Sequence, residues 1–114
     1  MCGDMNIALT DGDVWDPFEC DGQLLYHPSE RAAIQRVLAF GLHDAFRHVH
    51  PDTREFSWFD YRGGAFWKNQ GFRIDHVFVT EGLLPKLSGA QMWPSTRKLE
   101  KPSDHVPVGV DLDL

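Results

Sequence analysis

Four short segments carry side chains able to do acid, base or metal chemistry: Gly3-Asp4-Met5-Asn6, Ser57-Trp58-Phe59-Asp60-Tyr61, Arg73-Ile74-Asp75 and Ser103-Asp104-His105. Each puts an acid, an amide or an imidazole at the edge of an expected strand, where a rigid element can aim it. Hydrolysis of a phosphodiester needs a hard cation on the phosphate, an activated water, a proton for the leaving oxygen and donors for the developing charge. Carboxylates, an asparagine and a histidine can supply all four. Taken singly the signals are weak, because Asp and Gly are default turn residues and an Asp-His pair is common in loops. Their combination carries the reading.

The elements that must position these groups are read from periodicity and turn chemistry. Residues 1–8 look like the end of a strand running into a loop, with only Met1 and Cys2 ahead of a Gly3-Asp4 turn. Residues 10–28 are rich in Asp, Gly and Pro and predict a long surface loop. A helix is predicted from an N-cap at Ser29 through Phe40, with Ala33, Val37 and Phe40 on one face and Gly41 as the stop. A second short helix is expected over Leu42 to Val49. Strands are expected at Glu55 to Tyr61, Phe72 to Val79, Gly89 to Trp93 and Val106 to Leu112, separated by a basic-aromatic loop over 62–71. In the last strand Val106, Val108, Val110 and Leu112 alternate, so that face should pack on a core. This order predicts an α/β (α+β) class, mainly one mixed sheet with covering helices.

Length and composition bound the rest. A chain of 114 residues with 42% apolar and 25% charged content suits one soluble globular unit with a modest core. No run approaches the roughly 18 apolar residues of a membrane span, and no secretory leader is visible, so the expected location is the cytoplasm. Cys2 and Cys20 match no zinc spacing and are expected to be free thiols in a reducing compartment. A net charge of −6 argues against gripping nucleic acid by bulk charge, so any anionic substrate needs a local offset.

In order and wording the four segments resemble the GDxN, SWFDYR, RID and KPSDH motifs of exonuclease III-type apurinic/apyrimidinic endonucleases, in the endonuclease/exonuclease/phosphatase superfamily. The resemblance runs from Gly3 to Val110 and is carried most specifically by Lys101-Pro102-Ser103-Asp104-His105 together with Phe56-Ser57-Trp58-Phe59-Asp60-Tyr61-Arg62. It implies a magnesium-dependent DNA-repair hydrolase, with manganese as an alternative ion. The implied activities are incision 5′ of abasic sites, 3′→5′ exonuclease and 3′-phosphatase, on double-stranded DNA with abasic sites or 3′ ends.

It also implies roles, position by position. Asp4 matches a catalytic aspartate that activates water or protonates the leaving oxygen, and Asn6 the asparagine that steadies it. Asp75 and His105, thirty positions apart, match an acid that orients an imidazole so that it can donate to the phosphate. Asp4, Asn6, Asp104 and His105 match the metal site. Trp58, Phe72 and Ile74 match a pocket for a flipped-out sugar, although buried aromatics are as often plain core. Arg47, Arg62, Lys68, Arg73, Arg97, Lys98 and Lys101 are candidates for phosphate contacts, Arg62 and Arg73 foremost.

Members of the family are longer and form a four-layer α/β sandwich. The resemblance therefore implies that residues 1–114 are the C-terminal portion of such a domain, with an upstream glutamate, asparagine and tyrosine absent. A chain supplying the missing N-terminal half is an expected partner, and inactivity alone is expected. The other readings are a catalytically dead module that binds DNA or protein, and a phosphoesterase of the same superfamily with a non-DNA substrate.

Overall fold

The structure, a computed structural model, describes residues 1–114. Its centre is β3 (Asp75–Thr80), whose β-branched and aromatic residues suit a pleated, half-buried surface. Strand β1 (Cys2–Asp4) pairs with its first half and β2 (Leu42–Asp44) with its second, both antiparallel, giving the order β1-β3-β2. A second antiparallel sheet joins β4 (Leu87–Met92) to β5 (Val108–Leu112), with a bulge between Leu87 and Gly89. The α/β organisation thus holds, but the strands divide between two antiparallel sheets rather than one mixed sheet. Gly3 and Asp4 lie inside β1 instead of forming a turn, with Asp4 directly opposite Asp75.

Helix α1 (Pro17–Cys20) interrupts the predicted loop over 10–28, because Asp16 caps the amides of Phe18 and Glu19 and Pro17 presets the first turn. This segment is not all surface: Asp13, Val14, Cys20 and Tyr26 are buried. Helix α2 spans Pro28–Leu38, two positions earlier than expected, since Pro28 has no amide to satisfy and so sits at the first helical position. The cap is then His27, whose Nδ1 accepts from the Ser29 amide at 3.2 Å. The inward face is Ile34 with Val37 and Leu38, while Ala33 and Phe40 are exposed. No helix begins at Leu42. Residues Leu42–Asp44 complete the sheet, and Asp44 then caps α3 (Ala45–Val49) by accepting from the Arg47 amide at 3.3 Å.

The strand expected over Glu55 to Tyr61 is absent as a ladder. Trp58 makes isolated bridges to Phe72 and His105, which makes this segment a spacer between two others. The strand expected from Phe72 starts only at Asp75, because the preceding amides bond elsewhere: Arg73 N–H to the Asp13 carbonyl at 2.7 Å, and Ile74 N–H to the Ser57 hydroxyl at 2.9 Å. Likewise Val106 N–H is taken by the Ser57 carbonyl at 2.6 Å, so the last strand starts at Val108.

The apolar core is small and divided. One cluster gathers Phe46, Phe56, Phe59, Ala90, Met92 and Val106, another Ala8, Val14, Tyr26 and Ile74, a third Ile7, Leu9, Ile34 and Phe78. A buried ion network joins the elements around them. Arg73, wholly buried, donates from Nε to Asp13 Oδ1 at 2.7 Å and from Nη1 to Asp44 Oδ1 at 3.1 Å, and Arg47 Nη2 reaches the same Asp13 oxygen at 2.6 Å. Burial alone would raise the Asp13 carboxyl pKa, but the charges and hydrogen bonds of Arg73 and Arg47 outweigh it and hold Asp13 below the usual carboxylate range.

Removing one partner of such a network leaves an uncompensated buried charge. Arg73→Met is therefore expected to cost about 3–5 kcal/mol of stability in urea unfolding. A loss below about 1 kcal/mol, the level of a surface pair, would mean that the network is not what joins these segments.

Candidate active site

The pairing of β1 with β3 sets Asp4 against Asp75, and the bridge between Trp58 and His105 brings the third group to the same edge. His105 donates from Nδ1 to Asp75 Oδ2 at 2.9 Å, and its Nε2 lies 3.6 Å from Asp4 Oδ2 and 4.0 Å from Asp104 Oδ1. Ligand atoms of Asp4, Asp75 and His105 all fall within 4.8 Å of one another. Partial burial pulls the His105 pKa down, but the hydrogen bond to Asp75 and the charges of Asp75, Asp4 and Asp104 hold it above the ordinary imidazole value. The ring therefore holds its proton more tightly than a free imidazole, with Nε2 facing Asp4.

Asn6 and Asp104 stand beside this group. Asn6 lies just beyond the end of β1, with φ 53°, and donates its amide to Asp4 Oδ1 at 2.9 Å, which orients the carboxylate through the backbone. Asp104 accepts from Trp58 Nε1 at 3.0 Å through Oδ2, leaving Oδ1 toward His105. Two adjoining clefts open next to these groups. One of about 500 Å3 is lined by Asn6, Leu25, Trp58, Ile74, Asp104 and His105, and one of about 380 Å3 by Trp15, Leu24, Trp58, Asp60, Arg62 and Phe72. Trp58 is the wall between them, tilted against Phe72 with ring centroids 5.9 Å apart, and Ile74, 2% exposed, forms part of the floor. A separate hollow between Phe56, Phe59, Phe66 and Met92 contains none of the carboxylates or the imidazole and is not part of this site.

The basic candidates divide sharply. Arg73 cannot meet a phosphate, because its guanidinium is enclosed between Asp13 and Asp44. Arg47 is likewise spent on Asp13 and on the carbonyls of His50 and Thr53. Arg97 is buried, donating to the Ser103 carbonyl at 3.1 Å. Arg62 remains at the lip of both clefts, where its hydrogen bonds hold Asp60 down at about 2. Lys68, Lys98 and Lys101 are exposed. Leu24 and Leu25 line the clefts without having been singled out by the sequence. Their only local signal is the Asp21-Gly22 turn before them, which does not reveal that Leu25 adopts φ 75°.

The family model described as Endonuclease/Exonuclease/phosphatase family matches residues 1–105. Exodeoxyribonuclease III of Haemophilus influenzae is 40% identical over 115 aligned positions, covering 95% of this chain and 43% of that protein. A 3′ phosphatase from Neisseria, solved bound to a product DNA hairpin, superposes with a TM-score of 0.95 at 39% identity, over 99% of this chain and 44% of that one. An AP endonuclease from Archaeoglobus fulgidus superposes with a TM-score of 0.93 at 33% identity, again over 99% and 44%. The chain thus spans less than half the length of the relatives it matches. No helix is long and apolar enough to cross a membrane.

The histidines give the fold a pH signature. His105 has a raised pKa, so its contribution is fully present below the free imidazole value of 6.5 and is lost as pH rises through its folded value. His76, buried with Nε2 on the Ile7 carbonyl at 2.8 Å, has a lowered pKa through burial and the Arg73 charge; its contribution is present above 6.5 and declines as pH falls toward its folded value. Melting temperature against pH should therefore peak near 6.5. His76→Gln is expected to flatten the acid side of that curve and His105→Gln the alkaline side; a curve that keeps its shape in both variants would show that neither ring is coupled to folding.

Proposed function

The chain belongs to the endonuclease/exonuclease/phosphatase family, and from that premise we propose that residues 1–114 are the C-terminal portion of an exonuclease III-type DNA-repair phosphodiesterase. The observation that carries this reading is the gathering of Asp4, Asp75 and His105 within 4.8 Å of one another, with His105 lining a cleft of mixed polar and apolar walls. The reaction is hydrolysis of a DNA phosphodiester 5′ of an abasic site, with 3′→5′ exonuclease and 3′-phosphatase activity at strand ends. The chemistry that the named relatives share, and the DNA hairpin on the Neisseria phosphatase, favour DNA over other phosphoesters.

Asp4, at the end of a paired strand and fixed by the Asn6 amide, activates the attacking water or protonates the leaving oxygen. His105, held by Asp75 as a donor, directs Nε2–H at a phosphate oxygen where charge develops. Trp58 with Ile74 in one cleft and with Phe72 in the adjoining one forms the walls that take the sugar, and Arg62 meets the backbone at their shared lip.

Three carboxylates around one imidazole would repel a phosphate, so the site needs a cation to accept its substrate. The donor set fits a hard ion, because its free atoms are mostly oxygen. Asp4, Asn6 and Asp104 would hold Mg2+, or Mn2+ in its place, with His105 joining only when neutral. When bound, the ion supplies charge neutralisation on the phosphate.

The test is magnesium-dependent incision of a labelled duplex carrying one abasic-site analogue, by this chain alone and together with a chain supplying the remainder of the family's domain. Asp4→Asn and His105→Ala are each expected to lower turnover by orders of magnitude while leaving DNA binding largely intact. Wild-type incision by either variant would refute the residue roles. Binding to DNA without incision in any combination would instead support a module that binds only.

A further inference from the structure

Ser57 opens one of the motifs noted in the sequence, yet the chemistry above gives it nothing to do. It is wholly buried, at 0% exposure, so it cannot touch substrate. Its hydroxyl accepts from two successive amides, Ile74 at 2.9 Å and Asp75 at 3.0 Å. Its backbone carbonyl accepts from Val106, the neighbour of His105, at 2.6 Å, and its own amide donates to the Phe72 carbonyl at 3.0 Å. One residue therefore bonds to the chain beside both members of the Asp75–His105 pair.

The hydroxyl is suited to this place. It has two acceptor lone pairs on the smallest side chain that carries them; Ile74 lies just before β3 and Asp75 is its first residue, and both amides are satisfied by this hydroxyl rather than by a strand. Without the hydroxyl these amides would be buried and unpaired, and the chain would shift to find other acceptors. The shift would fall on Asp75, whose carboxylate sets the His105 ring.

We propose that Ser57 is a positioning residue: its hydroxyl fixes the Asp75 backbone, and through it the Asp75–His105 hydrogen bond. The inference rests on the reading that this pair serves phosphodiester hydrolysis, but its geometry can be tested without activity. In this chain the His105 Nδ1–H, bonded to a carboxylate, should give a slowly exchanging downfield proton resonance, and the Ile74 and Asp75 amides should resist exchange. Ser57→Ala should broaden or remove that resonance while the amides of α2 and β4 keep their protection, and Ser57→Thr, which keeps the oxygen, should restore it. Ser57→Cys repeats the test with the packing preserved and a weak acceptor.

In whichever form incises DNA, Ser57→Ala should lower kcat about 100-fold with KM little changed, the cost of about 1 Å of misplacement. An unchanged resonance in a folded Ser57→Ala or Ser57→Cys would overturn the proposal. So would wild-type Ile74 and Asp75 amides that exchange as fast as exposed loops, a result that needs no variant to fold. Absence of incision by the wild type would count against the nuclease reading alone, and the resonance would still decide the role of Ser57.

Discussion

Everything near the site hangs on a desolvated guanidinium. Arg73 ties the segment before α1, through Asp13, to the junction of β2 and α3, through Asp44, and it does so one residue ahead of Ile74 and Asp75. Arginine suits this because its planar fork offers parallel donors that can satisfy two carboxylates at once, where a lysine would be a point charge. Enclosing these ions is costly, and replacement by an apolar set can stabilise other proteins. What the network supplies here is definition: three separate apolar clusters are held in one arrangement, and the entry to β3 has only one course.

From that fixed entry the site follows by register. Antiparallel pairing of β1 with β3 allows only one residue to face Asp75, and it is Asp4. The Trp58 spacer then sets the distance to the 104–106 segment through its bridge to His105 and its indole bond to Asp104. The resulting cluster is acidic on every side of one imidazole, which raises that ring's proton affinity and makes the place attractive to a cation and hostile to an unaccompanied phosphate. The net charge of −6 is therefore concentrated, in part, where it can be neutralised by a bound ion.

The sequence disclosed the site better than the frame. Asp4, Asp75, Asp104 and His105 stood in short motifs whose residue types suggested hydrolytic chemistry, and the fold brings them to one edge. Arg73 stood in the same wording and was misread as a phosphate contact, because nothing local tells a buried arginine from an exposed one; its partners are 60 and 29 positions away. The role of Pro28 in moving the cap of α2 to His27 was legible in principle from proline's missing amide. The absence of a ladder over Glu55 to Tyr61 was not, since strand propensity describes side chains while the bonds of Ser57 and Trp58 are decided by distant segments.

The reach of those contacts has a consequence for the order in which the molecule comes into being. Arg73 meets Asp13 across 60 residues, His76 meets Ile7 across 69, and His105 meets Asp75 across 30. Such non-local closure makes folding slow relative to helical domains of this size. The chemistry-bearing edge, assembled from Asp4, Asp75, Asp104 and His105, therefore forms only once segments distant in sequence have met.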